Sequence, residues 1–364
     1  MTINLKNAHL RLFCVAYFLL FLYSMLGHIE VLNGYLQIFS WFSFLIFVLL
    51  GIAFNHKISP TKLLAIIAVF VIGFMVAFNS KDYFILKFAI ICLAARGLEL
   101  ETIFKFDFKL RITIFFVIIA LYFYGIANDV VSVYSDGSVR RSWGFQNPNH
   151  LGLLIFICVL ELLYVRRFIF SLKEIFFVVA IVFIIDSFLG CRTAVISLLA
   201  VFILLLLLNY IPMLIDQKWF QGFMRTLYLF ITIGIFLLMM LYNAGSPFAV
   251  AINDMTSNRL YNISFFYNLL GISFFGDDSS IGFKTLDTFY AYIFIVCGLI
   301  CFAFIGIVID LLFKYIFRKR DRVLCVVLFG FLIFGFGERL WMCIDYNIML
   351  LMFGTVLFSN PKIS

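Results

Sequence analysis

From Thr193 to Leu208 the chain reads TAVISLLAVFILLLLL, with two polar residues in a full helical length, and residues 177–190 form another apolar run just before it. Segments of that length and composition suit a lipid bilayer, not the interior of a soluble domain. The rest of the chain agrees. Of 364 residues 65% are hydrophobic and only 13% charged, with 50 Phe and a mean hydropathy of +1.13, whereas a soluble fold carries about twice that share of charge. The sequence is that of an all-α polytopic membrane protein. Residues 1–9 are polar and the first apolar run lacks a small-residue cleavage site, so a cleavable leader is not expected.

The apolar runs predict twelve spans, near 10–26, 32–54, 62–79, 82–96, 110–127, 148–165, 174–190, 194–211, 226–243, 286–313, 323–338 and 344–359. With a cytoplasmic N-terminus the inner segments hold 19 of the 27 Lys and Arg residues, seven lie outside, and Lys87 falls within a span. That is the bias the positive-inside rule requires, and twelve spans return the C-terminus to the cytoplasm. Residues 1–364 read as one integral-membrane domain with two long external loops, 128–147 and 244–285. In the second, Leu260, Ile263, Tyr267 and Leu270 recur at helical spacing, which predicts a short helix lying at the interface; simple packing of a loop helix gives the same pattern.

Several classes are disfavoured. The eight Cys form no CxxC pair and mostly sit in apolar runs, as packing residues do, and no HExxH or carboxylate cluster suggests a metal. No Gly-rich phosphate loop suggests ATP, so energy is expected from the substrate or an ion gradient. Nothing suggests nucleic acid. Of the intramembrane charges, Lys87 and Asp186 near the outer face either pair or snorkel, and Glu161 and Asp310 are read as pairing with the inner clusters Arg166/Arg167 and Arg318 to Arg322.

The seven external basic residues are Lys81, Arg140, Arg141, Arg192, Arg259, Lys284 and Arg339, five Arg to two Lys, while the inner set has nine Arg to ten Lys. Arginine kept where topology disfavours it suggests anion recognition by planar guanidinium forks; a solvated loop charge is the plainer account for any single one. The stretch RRSWGFQNPNHLG, residues 140–152, sharpens this. Asn147 is a good N-cap and Pro148 fits the first helical position, so a helix should start there with its free N–H groups facing outward. Gly190 closes one predicted helix and Thr193 opens the next beside Arg192. Two helix starts and three arginines are thus expected to converge on one multiply charged anion, a diphosphate being the obvious membrane-borne candidate. His150, one turn into its helix, is either a hydrogen-bonding or base group or an interfacial His in a polar niche.

RSWGFQNPNHLG also resembles the R-x-x-G-x-x-x-N-P-N signature of bacterial oligosaccharide repeat-unit polymerases, the O-antigen and capsule polymerase family within the O-antigen ligase-like superfamily. GCRTAVISLL resembles the family's S-R-T-A motif, with Cys191 in place of Ser. TSNRLYNISFFYNLLGISFFGDD is similar to its long external loop with an S-G-R start and a G-x-G end, with Asn258 for the first Gly and no second Gly in FFGDD. LDTFYAYIFIVCGL resembles the D-x-x-Y-x-x-x-x-x-x-x-G helix, and GERLWMCIDYNIMLL the closing segment of Gram-positive members. These pieces run in the family's order from about 140 to 350. Residues 1–130 match in hydropathy only.

The resemblance implies a GT-C-like, metal-independent and cofactor-free glycosyltransferase of the bacterial plasma membrane. It would transfer a growing glycan from its undecaprenyl diphosphate carrier to the next lipid-linked repeat on the outer face, beside a flippase and a chain-length regulator. On that reading Arg140, Arg141 and Arg192 hold the diphosphate and Arg259 the same group or an acidic sugar. Asn147 and Asn149, from the Asn-Pro-Asn turn, and Arg339 fall to substrate binding; Asp287, Tyr290 and Glu338 to acceptor orientation or base work, with His150 a further candidate. Two other activities compete. A ligase moves finished glycan and relies on a His in the large external loop; residues 244–285 contain none, though His150 keeps the ligase open. A transporter or flippase suits many spans, yet would be expected to show repeated halves, and the motif-bearing turns here have no counterpart in the first third. A purely structural subunit would not need five external arginines.

Overall fold

The computed structural model describes residues 5–53, 59–133, 139–167, 173, 176, 179–180, 182–183, 190–278 and 286–358. The protein is helical, as its composition requires, but twelve spans are not found. Among the described residues seven helices are long and apolar enough to cross a membrane. Six of the predicted spans correspond closely: α1 (Leu5–Leu26), α2 (Glu30–Ala53), α3 (Pro60–Ser80), α6 (Pro148–Arg166), α7 (Arg192–Tyr210) and α8 (Lys218–Asn243). The predicted span 174–190, with Asp186, and external Lys284 lie largely or wholly outside the described residues.

The other predictions hold only in part or fail, for identifiable reasons. A crossing needs about 20 residues, and α4 (Phe84–Ala94) and α12 (Arg322–Phe334) have 11 and 13. Hydropathy continued past their ends, where Gly97 adopts a positive φ beyond α4 and Gly335 and Gly337 follow α12. The predicted helix 344–359 is a 3-10 turn, Ile348–Leu350, and α13 (Leu351–Leu357). The predicted helix 286–313 is broken: Phe289–Ala291 continues as a π stretch, Tyr292–Val296, and the long helix α11 begins only at Gly298 and runs to Lys319. Helix α5 (Leu100–Phe123) starts ten residues before the predicted span, through a segment bearing Lys105, Asp107 and Lys109.

The chain divides into two compact units. The first comprises residues 1–57, 90–209 and 344–354, the second 58–89, 210–343 and 355–364. In the first, α1 lies along α2, with Phe13 and Phe47 5.3 Å apart and Ser43 Oγ donating to the Ala16 carbonyl at 2.7 Å. Helix α5 pairs with α6 through Phe104 and Tyr164. At the centre of this unit four polar side chains are fully buried: Asp107 accepts from Tyr17 Oη at 2.9 Å and from Arg111 Nε at 2.8 Å, and Arg111 Nε lies 3.9 Å from Glu161 Oε1. Glu161 therefore pairs across α5 and α6, not with the terminal arginines. A two-stranded hairpin, β1 (Val131–Val133) and β2 (Val139–Arg141), occupies the loop 128–147.

In the second unit α8 packs on α11, where Tyr228 stacks on Phe302 at 4.9 Å opposite Gly306. Asp310 of α11 pairs with Arg225 and Lys314, each at 2.6 Å, and not with the Arg318 to Arg322 cluster. The loop 244–285 contains α9 (Pro247–Met255) and α10 (Arg259–Leu270). Leu260 and Ile263 of α10 are buried as the periodicity predicted, and Ser264 Oγ donates to Asn243 Oδ1 at the end of α8. The loop then closes on the helix break: Asp277 N–H donates to the Val296 carbonyl, and Leu299 and Ile300 N–H to the Ser273 and Phe274 carbonyls. Gly276 and Gly298, at φ +91° and +86°, approach so closely that a side chain on either would collide with the other segment's backbone. The glycines of FFGDD and VCGL are thus two sides of one contact.

Candidate functional site

Each unit carries one group of the residues singled out above. In the first unit Asn147 caps α6, its Oδ1 accepting from His150 N at 3.0 Å, with Pro148 opening the helix. The start of α7 sits against this turn. Cys191 Sγ lies 3.9 Å from Asn149 Oδ1, and a Cβ on Gly152 would collide with that sulfur. None of the eight cysteines is in a disulfide, and no group of three His, Cys, Asp or Glu among the described residues is arranged to hold a metal.

The arginines divide by role. Arg140, only 8% exposed, lies across Gly190, at φ +60°; a Cβ there would stand 2.6 Å from its Nε and 2.9 Å from its Cδ. Arg140 of the hairpin is thereby held at the approach to α7. Arg141 is exposed and 3.9 Å from Asp129 Oδ2. Arg192 is the exposed first residue of α7. The starts of α6 and α7 thus lie together in this unit, with Arg140 of the hairpin across Gly190. Because Ala at Gly190 would both displace Arg140 and adopt a left-handed backbone costing roughly 1 kcal/mol, Gly190→Ala is expected to impair the protein's cellular function as much as Arg140→Ala does, while thermal unfolding in detergent shows only a small drop.

The turn between β2 and α6 is fixed from several sides. Asp129 Oδ1 accepts from the Ser142 and Trp143 N–H groups, and His28 Nε2 lies 2.9 Å from the Gly144 carbonyl. His150 is buried, its ring 5.3 Å from that of Tyr346, whose hydroxyl donates to the Ser24 carbonyl. Ser24 Oγ in turn donates to Asp345 Oδ2 at 3.1 Å. Ser24, His28, Asp345 and Tyr346 were not expected here. They come from α1, from the turn after it and from the closing segment, more than a hundred residues from the α6 turn in sequence; CIDYN carried the signal, as polar residues in an otherwise apolar run.

In the second unit Arg259, the first residue of α10, reaches Glu338 with Nη2 to Oε1 at 3.4 Å. Glu338 lies past the end of α12 and is 4% exposed. Burial pushes its carboxyl up to about 8, with Asp287 adding to the rise and Arg259 and Arg339 opposing it. At neutral pH the group is mainly protonated, a hydrogen-bond donor; as a base it would act only as pH approaches 8. Its folded pKa is above the unfolded value of 4.5, so the stability it contributes is fully present below about 4.5 and lost as pH rises through about 8. Glu338→Gln, neutral throughout, is expected to flatten the fall in thermal midpoint between about pH 4.5 and pH 8.

Arg339 stacks on Tyr292, 4.2 Å from the ring centroid, and the Tyr292 hydroxyl bonds Asp82 Oδ2. Tyr290, expected to orient an acceptor, is fully buried with its hydroxyl donating to the Leu332 carbonyl at 2.5 Å. Its place is in the core, where it packs on Tyr228 and Phe289. The segment bearing Glu338 is anchored by Trp341, which is fully buried between Phe331 and Phe289. No protein-family model, no curated protein and no solved structure matches the chain.

Proposed function

We propose that the protein is a polysaccharide polymerase of the bacterial plasma membrane, with cytoplasmic termini and its arginine-bearing turns on the outer face. It joins undecaprenyl-diphosphate-linked repeat units by transferring the growing chain to the next lipid-linked repeat. The observation that carries this reading is the meeting of the α6 and α7 starts, where Asn147, Asn149 and Cys191 pack together and Arg140 is locked over Gly190. Such an arrangement presents N–H groups and guanidinium forks to a multiply charged anion.

The chemistry requires charge stabilisation more than covalent help. As the acceptor hydroxyl attacks the anomeric carbon, the bond to the diphosphate oxygen breaks and negative charge grows on the leaving group. Arg140, Arg141 and Arg192 stabilise that charge. Arg259 and Glu338 are assigned to the glycan, Arg259 for an acidic sugar or phosphate and Glu338 for an acceptor hydroxyl, with Asp287 and Arg339 beside it. His150 packs in the polar niche with Tyr346. Asp345, held by Ser24, is a candidate that the sequence reading lacked. The purified protein, given lipid-linked repeats extracted from a strain lacking it, is expected to convert them into a ladder of longer glycans without added metal or nucleotide. Unchanged single repeats would count against the reading, and transfer of long glycan to a different acceptor would favour the ligase.

A further inference from the structure

In the second unit the first turns of α8 and the last turns of α11 enclose a cleft of about 300 Å³ lined by Gln221, Arg225, Lys314, Phe317 and Arg318. Phe317 is buried against Phe220, their ring centroids 6.3 Å apart. Gln221 Nε2 donates to the Ile215 carbonyl at 2.9 Å, which ties the α8 wall to the 3-10 turn Pro212–Asp216 before it. The walls of the cleft are thus held in place by contacts other than those between its charges.

Three cationic groups share one carboxylate here. Asp310 Oδ1 accepts from Arg225 Nε and Oδ2 from Lys314 Nζ, each at 2.6 Å. Both oxygens are committed, while the two Nη groups of Arg225 have no partner among the described residues. Arg318 is exposed, and its guanidinium makes no ion pair or hydrogen bond among those residues. The acids flanking the two helices in sequence are occupied, Asp216 by Arg320 at 2.9 Å and Asp321 as the N-cap of α12. The cleft therefore keeps an excess of two positive charges, with guanidinium donors from both helices available to an anion. Such planar forks suit phosphate.

The surroundings select a lipid phosphate over a soluble one. Trp219 and Phe223, exposed at 66% and 47%, lie one helical turn apart on α8, beside the turn that carries Gln221 and Arg225. Exposed Trp at the end of a membrane helix sits at headgroup level. Helix α8 has 26 residues and is about 39 Å long, more than the roughly 30 Å of a bilayer core. Asn243 at its far end accepts from Ser264 of α10, so the cleft opens at the membrane face opposite the loop that carries Arg259. A basic cleft between two helices at interfacial depth, with aromatic side chains beside it, matches a headgroup with its acyl chains. We propose that the α8–α11 cleft binds the phosphate headgroup of an anionic bilayer phospholipid, with Arg225, Lys314 and Arg318 on the phosphate and the acyl chains along Trp219 and Phe223. This site is separate from the arginines assigned to the polymerase reaction and does not depend on that reading.

The test uses the full-length protein, stripped of lipid in a mild detergent and titrated with phosphatidylglycerol, phosphatidylcholine or inorganic phosphate, with retained ligand counted by native mass spectrometry. Phosphatidylglycerol is expected to be retained saturably, and phosphatidylcholine at least tenfold less. Arg318→Gln removes no fold contact and should weaken retention of phosphatidylglycerol roughly fivefold, the weight of one basic residue at an anionic lipid surface. Lys319→Gln, one position on and outside the cleft lining, removes the same charge and should leave retention nearly unchanged. Phosphatidylglycerol should also raise the thermal midpoint of the wild type and of Lys319→Gln more than that of Arg318→Gln. Equal weakening by the two variants would show a diffuse basic surface and overturn the site, as would equal retention of phosphatidylcholine. Displacement of phosphatidylglycerol by an equal concentration of inorganic phosphate would overturn the lipid as its occupant.

Discussion

Arg111→Ala is expected to be among the most damaging single substitutions in the protein. Arg111 is fully buried, its Nε on Asp107 at 2.8 Å, its Nη2 on Tyr17 Oη at 3.2 Å and its guanidinium 4.9 Å from the Phe21 ring centroid. Removing it leaves the carboxyls of Asp107 and Glu161 facing each other in a fully buried site. Breaking a buried pair by deleting one partner costs about 3–5 kcal/mol, a large fraction of the roughly 5–15 kcal/mol by which an ordinary domain is stable. Arg111→Met combined with Asp107→Asn and Glu161→Gln removes every charge and should regain most of that loss, because the penalty belongs to the uncompensated charge. The thermal midpoints of the single and triple variants in one detergent decide this; equal destabilisation would show that the cluster acts through packing alone.

Arg192→Ala is expected to abolish long glycan while leaving the fold intact. Arg192 is exposed at the first position of α7, so no core contact is lost. If it stabilises the departing diphosphate, its removal should slow transfer by roughly 10²–10³-fold, the typical cost of losing one donor to a developing charge. Arg192→Lys keeps the charge without the fork and should retain part of the activity. Cellular glycan length at equal membrane levels of the protein is the readout, and full-length polymer from Arg192→Ala would remove this residue from the site.

The membrane class and the α6 start were legible in local sequence. Asn147, Pro148 and the run that follows specify a capped helix without help from distant residues, and Leu260 and Ile263 specified the buried face of α10. Span count was not legible, because hydropathy continues through Gly298 and past Phe334, whereas backbone conformation stops or breaks the helix. Charges were misread where partners lie in other helices: Glu161 has basic neighbours in sequence yet pairs with Arg111, and Asp310 pairs with Arg225 of α8 as well as with Lys314 in its own helix. Tyr290 looked like a site residue from its motif spacing, but Leu332, which accepts its hydroxyl, is visible only in the fold. The same holds for His28, which reaches the Gly144 carbonyl from the turn after α1, and for Ser24, which holds Asp345 and Tyr346.

The most direct test of the polymerase reading is a glycan profile of cells lacking the protein, with lipid-linked single repeats separated from long polymer and assigned to a membrane face. The account predicts single repeats accumulated on the outer face and no polymer. Single repeats held on the inner face would contradict it in favour of transport, and full-length polymer still attached to its lipid carrier would contradict it in favour of a ligase.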